Sequence, residues 1–340
     1  MNRIVIATDA AAPQINGVVR TLETTRKSLV GLGYEVHVIA PADFLTVAMP
    51  FYPEIRLALA GPGEVAPIID RIAPDAIHIA TEGPIGHATR SFCLSRGLPF
   101  TTAYHTRFPE YLSARAPVPE EWSYAWLRRF HAPAVRTMVA TPTLAAELGE
   151  RGFRNVVRWS RGVDPVLFSP NHQIELDWPR PIFLSVGRVS VEKNLQAFLA
   201  LDLPGTKLVV GDGPDRAALA QQFPQAVFVG TRTGHELSAL YASADVFVFP
   251  SRTDTFGNVM LEALASGTPV AAYPVIGPRD VLTSGVGAMA DDLGMACAQA
   301  LKLSRALCRR EALSWSWEAC TRQFLANLAP VRGLKKAVAP

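Results

Sequence analysis

Short apolar runs separated by helical stretches recur along this chain, stop at a proline-rich break, and then begin again. No other feature of the sequence constrains the fold as strongly. The first series is RIVIAT (3–8), YEVHVIA (34–40), DAIHIA (75–80), LPFTTAY (98–104) and TMVATP (137–142). Between the first two runs, residues 18–32 carry helical spacing that Gly33 terminates. Runs this short and apolar suit strands buried on both faces, and strand–helix–strand units with short links build a doubly wound parallel sheet. The break, GVDPVLFSPNHQIELDWPRP (162–181), holds four prolines and little periodicity. Runs then resume as PIFLSVG (181–187), TKLVVGDG (206–213), AVFVG (226–230), DVFVFPS (245–251) and TPVAAY (268–273), which predicts a second parallel sheet. An amphipathic stretch, SWSWEACTRQFLANL (314–328), follows. The pattern therefore predicts an α/β protein with two Rossmann-like, doubly wound domains, at 1–163 and 181–313, joined by a linker over 164–180.

Composition narrows the function classes. The 340 residues are too many for one typical domain and comfortable for two. With 49% hydrophobic and 19% charged residues, the chain has the material for large cores and does not read as disordered. Its net charge of +3 is too small to mark either half as a nucleic-acid surface. The four cysteines, Cys93, Cys297, Cys308 and Cys320, form no CxxC pair and have no His cluster beside them. That argues against zinc and against a disulfide framework, and a reducing cytoplasm is the expectation. The opening MNRIVIATDA reads as a first strand rather than a signal peptide. No run approaches the ~18 apolar residues of a membrane span, and contact with a membrane surface is compatible with all of this.

In doubly wound sheets, ligands sit beyond the carboxyl ends of the strands, so the residues after each run are the candidates. PIFLSVG ends in Gly187 and leads into Arg188, Val189, Ser190, Val191, Glu192 and Lys193. Two cations so spaced at a strand end can face one anion, as a departing diphosphate requires; a solvated turn accounts for them equally well. DVFVFPS leads through Asp254, Thr255 and Phe256 into a helix starting near Gly257 and ending at Gly267. Backbone N–H groups at Gly257, Asn258 and Val259 can bind phosphate oxygens or hydroxyls. Asp254 and Glu262 flank that start and suit neutral hydroxyls at the two ends of a long ligand; a helix N-terminal acid and an exposed helical acid are the plainer alternative. LPFTTAY leads to His105, Arg107 and Tyr111, which puts a His at a strand's carboxyl end. After the first run, Gly17 would let a backbone approach a ligand at the next helix start.

Together these segments resemble glycosyltransferase family 4, whose members are retaining enzymes with the GT-B fold. The resemblance covers about 1–328 and is most specific in GRVSVEKN and PSRTDTFGNVMLEALASGTPV. NGVVRTL, ATEGPIG, AYHTRFPEY, RGVDPVLFSP, GDGP and SADVFVFPS support it. It implies two domains facing across a cleft, with the helix over 314–330 crossing back to the first. It implies a nucleotide-sugar donor held by Gly187, Arg188, Lys193, Thr255, Phe256, Gly257, Asn258, Val259 and Glu262, with Arg188 and Lys193 on the diphosphate and Glu262 on the ribose. Asp254 stands where the family usually has Glu, facing the donor sugar, and His105 looks like the active-site His near that sugar. Gly17 resembles the first-loop glycine, and Phe228, Val229 and Gly230 lie where the base usually meets backbone. The chain departs from the family again after Pro274, where its segment is short.

AYHTRFPEY and ATEGPIG resemble the subgroup of sulfoquinovosyl-diacylglycerol synthase, bacterial glycolipid synthases and GDP-mannose-dependent mannosyltransferases. That implies a lipid acceptor such as diacylglycerol or a glycosyl-diacylglycerol, with a UDP-sugar the favoured donor. Transfer from GDP-mannose, or to a soluble or polysaccharide acceptor, is the alternative. Residues 107–136 hold Arg107, Arg115, Arg128, Arg129 and Arg136, interleaved with aromatics. Arg107, Tyr111, Trp122, Trp126, Arg128 and Arg129 are the candidates for acceptor or anionic-membrane contact, with peripheral attachment inside the cell. An ordinary buried helix with a solvated basic face fits the same residues. The fold class implies no metal and no cofactor. No carboxylate pair offers itself as nucleophile and acid/base, so front-face attack is expected, with His105 and Asp254 positioning the sugar. A dehydrogenase would need a GxGxxG fingerprint, which is absent. An inverting transferase or an epimerase lacks the paired cations and paired acids. A nucleotide-sugar-binding protein without turnover would carry the same motifs.

Overall fold

The computed structural model describes residues 1–14, 16–49, 52–113 and 118–331, excluding the side chains of residues 49, 52–55 and 111. It divides into two units, one of residues 1–160 with those from 318 onward, the other of residues 161–317.

The strands of the first unit are β1 (Arg3–Ala7), β2 (Glu35–Ile39), β3 (Thr46–Met49), β4 (Tyr52–Ala58), β5 (Ala76–Ile79), β6 (Thr101–Ala103), β7 (Arg136–Val139) and β8 (Val156–Arg158). Its helices begin with α1 (Gly17–Gly31), α2 (Pro62–Ile72), α3 (Pro84–Ser95), α4 (Phe108–Ser113), α5 (Glu120–His131) and α6 (Pro142–Glu150). Six strands form one parallel sheet in the order β2-β1-β5-β6-β7-β8, while β3 and β4 pair apart as an antiparallel hairpin. Ile4, Val5, Ile6 and Ala7 are all buried, without alternation, as a central strand of a covered sheet requires. The order reverses between β1 and β5, so the crevice beyond their carboxyl ends is this unit's natural ligand position.

The second unit repeats the plan. Its strands are β9 (Ile182–Val186), β10 (Thr206–Val210), β11 (Val227–Gly230), β12 (Val246–Phe249), β13 (Val270–Ala272) and β14 (Gly287–Met289). They form a parallel sheet in the order β11-β10-β9-β12-β13-β14, which reverses between β9 and β12. The helices are α7 (Leu195–Leu199), α8 (Arg216–Gln222), α9 (Gly234–Ser243), α10 (Asn258–Ala265), α11 (Pro278–Val281), α12 (Leu293–Ala300) and α13 (Arg305–Ala312). Phe183, Phe198, Val209, Val246 and Val248 anchor the core.

A last helix, α14 (Trp317–Asn327), adds its residues from Glu318 on to the first unit. Phe324 is fully buried there, its ring 4.9 Å from His78 and 4.9 Å from Trp159. Ser160 donates its amide to Gln323 at 2.9 Å, and Val331 donates to the Asp75 carbonyl at 2.7 Å.

The structure departs from the sequence reading in three places. The segment expected to link the units, 164–180, packs onto the second: Arg309 donates to the carbonyls of Phe168 (2.6 Å) and Pro165 (2.8 Å), and His172 meets Ser238 at 2.8 Å. Its prolines break periodicity without freeing the chain. The hairpin β3–β4 and the strands β8 and β14 were not anticipated. Both of those strands are three residues long at a sheet edge, too short for a periodic signal.

Candidate active site

In the second unit, the two loops at the β9/β12 reversal are fastened together. Asn194, in the left-handed conformation (φ 53°), donates its side-chain amide to the Pro250 carbonyl at 3.0 Å. Ser251 Oγ donates to the Glu192 carbonyl at 3.2 Å. Lys193 Nζ then reaches Asp254 Oδ1 at 2.6 Å, with side chains 27% and 15% exposed. The second carboxylate oxygen of Asp254 is buried without a hydrogen-bond partner among the described residues. The motif after β9 and the motif after β12 thus form one polar cluster, and Arg188, half-buried, precedes it on the first loop. Glycine is required beneath it: Gly211 has φ +141°, and a Cβ there would run into the Gly187 carbonyl.

Gly257 (φ +85°) precedes α10 as its N-cap residue and supplies no side-chain cap to the helix's first-turn amides. A Cβ on Gly257 would lie 2.9 Å from Phe249 and Met260. Glu262 is buried at 4% exposure and accepts a hydrogen bond from the Tyr241 hydroxyl at 3.1 Å, so it is not an exposed helical acid. Phe256 is buried against Trp315, ring centroids 5.5 Å apart. Its side chain is turned into the core, and only its backbone is left to offer a ligand. The short segment after Pro274 presses on the same loop, because a Cβ at Gly277 (φ +91°) would lie 2.9 Å from the Phe256 carbonyl. Phe228 and Val229 are half-buried on the edge strand β11, and the Gly230 carbonyl accepts the Gly211 amide at 2.9 Å.

In the first unit, His105 follows β6, is 8% exposed, and stands edge-on to Trp159 at 5.5 Å. Two carboxylates that sequence reasoning missed lie at the β1/β5 reversal. Asp9 accepts from Thr81 Oγ1 (2.8 Å) and from the Ile85 amide (2.9 Å), capping α3. A Cβ on Gly83 would collide with it. Burial raises the Asp9 pKa against the pull of these hydrogen bonds. Glu82 meets His131 Nε2 at 3.1 Å; His131 Nδ1 meets Thr102 Oγ1 at 2.9 Å, which meets Thr137 Oγ1 at 3.0 Å. The only signal for either acid was its place within two or three residues of a strand end. Gly17 opens α1. It is exposed, but the amides that follow it are occupied: Asn16 Oδ1 accepts from Val18 and Val19, both at 3.0 Å.

The basic, aromatic stretch divides. Arg107 is corrected from a surface-facing cation to an internal one. Its Nε donates to Glu110 (2.8 Å), and its two terminal nitrogens grip Glu147 at 2.8 and 3.0 Å. Burial works against its charge, yet the carboxylates outweigh it and raise its pKa. Arg136 caps α14 through the Asn327 carbonyl at 3.0 Å. Trp122 (72% exposed), Trp126 (43%), Arg128 and Arg129 lie on the open face of α5. The Tyr111 side chain and Arg115 lie outside the described residues. All four cysteines are buried thiols that form no disulfide, with Cys93, Cys297 and Cys308 pushed up to about 12 by burial. Among the described residues, no three His, Cys, Asp or Glu side chains gather as a metal site, and no helix is long and apolar enough to cross a membrane.

Residues 15–167 match the family described as Glycosyltransferase Family 4, and residues 180–307 match Glycosyl transferases group 1. A GDP-mannose-dependent alpha-mannosyltransferase of Mycobacterium tuberculosis is 32% identical over 97% of each chain. An alpha-monoglucosyldiacylglycerol synthase of Streptococcus pneumoniae is 25% identical over 80% of this chain and 71% of its own. Among solved structures, sucrose-phosphate synthase from Thermosynechococcus elongatus superposes with a TM-score of 0.78 at 18% identity, covering 96% of this chain and 98% of that one.

Proposed function

Because this chain belongs to glycosyltransferase family 4 and has its GT-B fold, we infer that it is a retaining hexosyltransferase acting from a nucleoside-diphosphate sugar on a membrane lipid. The observation that carries the donor half is the Lys193–Asp254 bridge, which gathers both donor motifs at the strand-order reversal. Arg188 and Lys193 take the diphosphate and stabilise the charge that grows as it leaves. The amides of Gly257, Asn258 and Val259 take phosphate oxygens, and no metal is needed for that charge. Glu262, oriented by Tyr241, takes the ribose. Asp254 positions the donor sugar. The departing phosphate accepts the acceptor's proton on the face it leaves, which retains the anomeric configuration.

GDP-mannose is the first donor to test, because relatives named as dependent on it span nearly the whole chain. A UDP-sugar, the preference from sequence, is the second. The lipid acceptor is supported by the exposed Trp122 and Trp126 on the same helix as the exposed Arg128 and Arg129, and by the similarity to an alpha-monoglucosyldiacylglycerol synthase. Incubating the protein with a panel of nucleotide sugars and detergent-extracted lipids, read by mass spectrometry, tests each element. A glycosylated lipid is expected. Transfer only to water-soluble sugars overturns the lipid acceptor, and donor binding without any transfer overturns the enzyme.

A further inference from the structure

Glu82 stands on the loop that leaves β5, at the strand-order reversal of the first unit. The crevice beyond such strand ends is where a doubly wound sheet takes its ligand. The donor motifs lie on the second unit, which leaves this crevice to the acceptor. Asp9 pins the loop on both sides of Glu82: it accepts from the Thr81 hydroxyl before it and from the Ile85 amide after it. The Glu82 side chain is 18% exposed. Its Oε1 meets His131 Nε2 at 3.1 Å, while Oε2 has no hydrogen-bond partner among the described residues and is not buried. One oxygen is fastened and the other is open.

The fastening is a buried polar chain. The His131 ring is walled by Phe130, Phe153 and Tyr104, with ring centroids 5.0, 5.9 and 6.1 Å away. Thr102 Oγ1 meets His131 Nδ1 at 2.9 Å and Thr137 Oγ1 at 3.0 Å, and both threonines are fully buried. Polar groups in an apolar core destabilise it unless they are partnered, and once partnered they fix one another in a single arrangement. An ionised carboxylate only accepts hydrogen bonds, so Nε2 carries a proton directed at Oε1. Apolar side chains would fill the same core at lower cost. What the imidazole and the two hydroxyls add is a fixed orientation for one carboxylate at the mouth of the crevice.

The reacting hydroxyl of the acceptor gives its proton to the departing phosphate and needs no base here. A carboxylate in the acceptor's crevice therefore accepts from a second hydroxyl of the same molecule. Diacylglycerol has one free hydroxyl and cannot supply both; a sugar or other polyol head group can. We propose that Glu82 binds the acceptor through such a second hydroxyl and selects for a polyol head group, with His131, held by Thr102, as its positioning residue. The proposal rests on the transferase reading and narrows its acceptor.

The test is steady-state transfer, from the nucleotide sugar that the wild type hydrolyses, to octyl glucoside, octyl mannoside and dioctanoylglycerol. The wild type should use an octyl glycoside with a kcat/KM about tenfold or more above that for dioctanoylglycerol, one hydrogen bond to a charged group being the difference. Glu82→Gln should raise the KM for that glycoside about 10–100-fold and leave the KM for the nucleotide sugar within about twofold. Thr102→Val removes a hydroxyl while keeping the shape of the core, and should raise the glycoside KM about 2–10-fold, again without the donor KM. Glu150→Gln, at an exposed carboxylate on α6, controls for lost charge and should match the wild type. Melting temperatures confirm that each variant is folded, and Glu82→Gln, partly exposed, decides the matter if Thr102→Val is not. Transfer to dioctanoylglycerol alone, or to none of the three probes, overturns the polyol. Donor and glycoside KM rising together in Glu82→Gln, or neither rising, overturns the role of Glu82. Nucleotide-sugar hydrolysis by the wild type without any acceptor reports separately on the transferase reading.

Discussion

Replacing Lys193 with Ala tests the donor cluster twice, through stability and through turnover. The pair is short, 2.6 Å, and lies between buried and exposed, at 27% and 15% exposure. Breaking a buried pair from one side costs about 3–5 kcal/mol, while an exposed pair contributes about 0–1 kcal/mol. Asp254 has one oxygen already unpartnered, so losing Lys193 leaves the whole carboxylate poorly solvated. An intermediate loss of about 2 kcal/mol is expected for Lys193→Ala. Asp254→Ala should cost less, about 1 kcal/mol, because a flexible ammonium can turn to solvent. Urea unfolding of both singles and the double closes the cycle, with an expected coupling of about 1 kcal/mol. Turnover should fall far more than stability does, by about 100–1,000-fold, because the cation acts on charge that develops only as the phosphate leaves. Arg188→Ala should show the same loss of turnover. Near-normal turnover in both variants, or a coupling indistinguishable from zero, would refute the reasoning.

Gly211→Ala should lose at least about 2 kcal/mol in urea unfolding, since both its positive φ and the Gly187 carbonyl oppose a side chain; a wild-type midpoint would count against the packing described. Arg107→Ala leaves Glu147 and Glu110 without their shared partner and should cost about 2 kcal/mol, read as a lowered thermal midpoint. His87 has its pKa lowered by burial and by Arg90, so the unfolded chain takes up that proton first as pH falls below the usual 6.5. Its contribution to stability is therefore present above 6.5 and lost on acidification, and an NMR titration midpoint at or above 6.5 would contradict this. Chelation with EDTA should leave transfer intact; activity lost to EDTA and restored by magnesium or manganese would sink the metal-free mechanism.

What was legible in the sequence followed from periodicity and from strand ends. Ten of the twelve strands in the two parallel sheets announced themselves as short apolar runs, the central ones most clearly because buried parallel strands are apolar throughout, as in RIVIAT and DVFVFPS. The meeting place of Lys193 and Asp254 was legible as a candidate site because glycine, cations and acids cluster where β9 and β12 stop. What could not be read was pairing. Nothing in a linear sequence says that Arg107 will find Glu147, forty residues on, and so be unavailable to a ligand. Nor could it show that Asn16 would cap α1 beside Gly17, or that Asp9 would cap α3 across the sheet. The proline-rich stretch at 162–181 misled because lost periodicity and lost packing look alike in sequence, and Arg309 holds that stretch in place from 140 residues away.

The placement of Phe324 bears on how the chain is made. Residues 1–160 leave the ribosome with a hole where that ring later sits between His78 and Trp159. The whole of the second unit, 161–317, is synthesised before the plug arrives. At ~5–20 residues per second, that interval lasts roughly 10–30 s. During it, the nascent first unit exposes an aromatic seam and a sheet end at Asp75 that has not yet received Val331. The later-born unit can therefore finish before the earlier one, and the N-terminal sheet completes its core only when a segment synthesised after residue 317 packs into it.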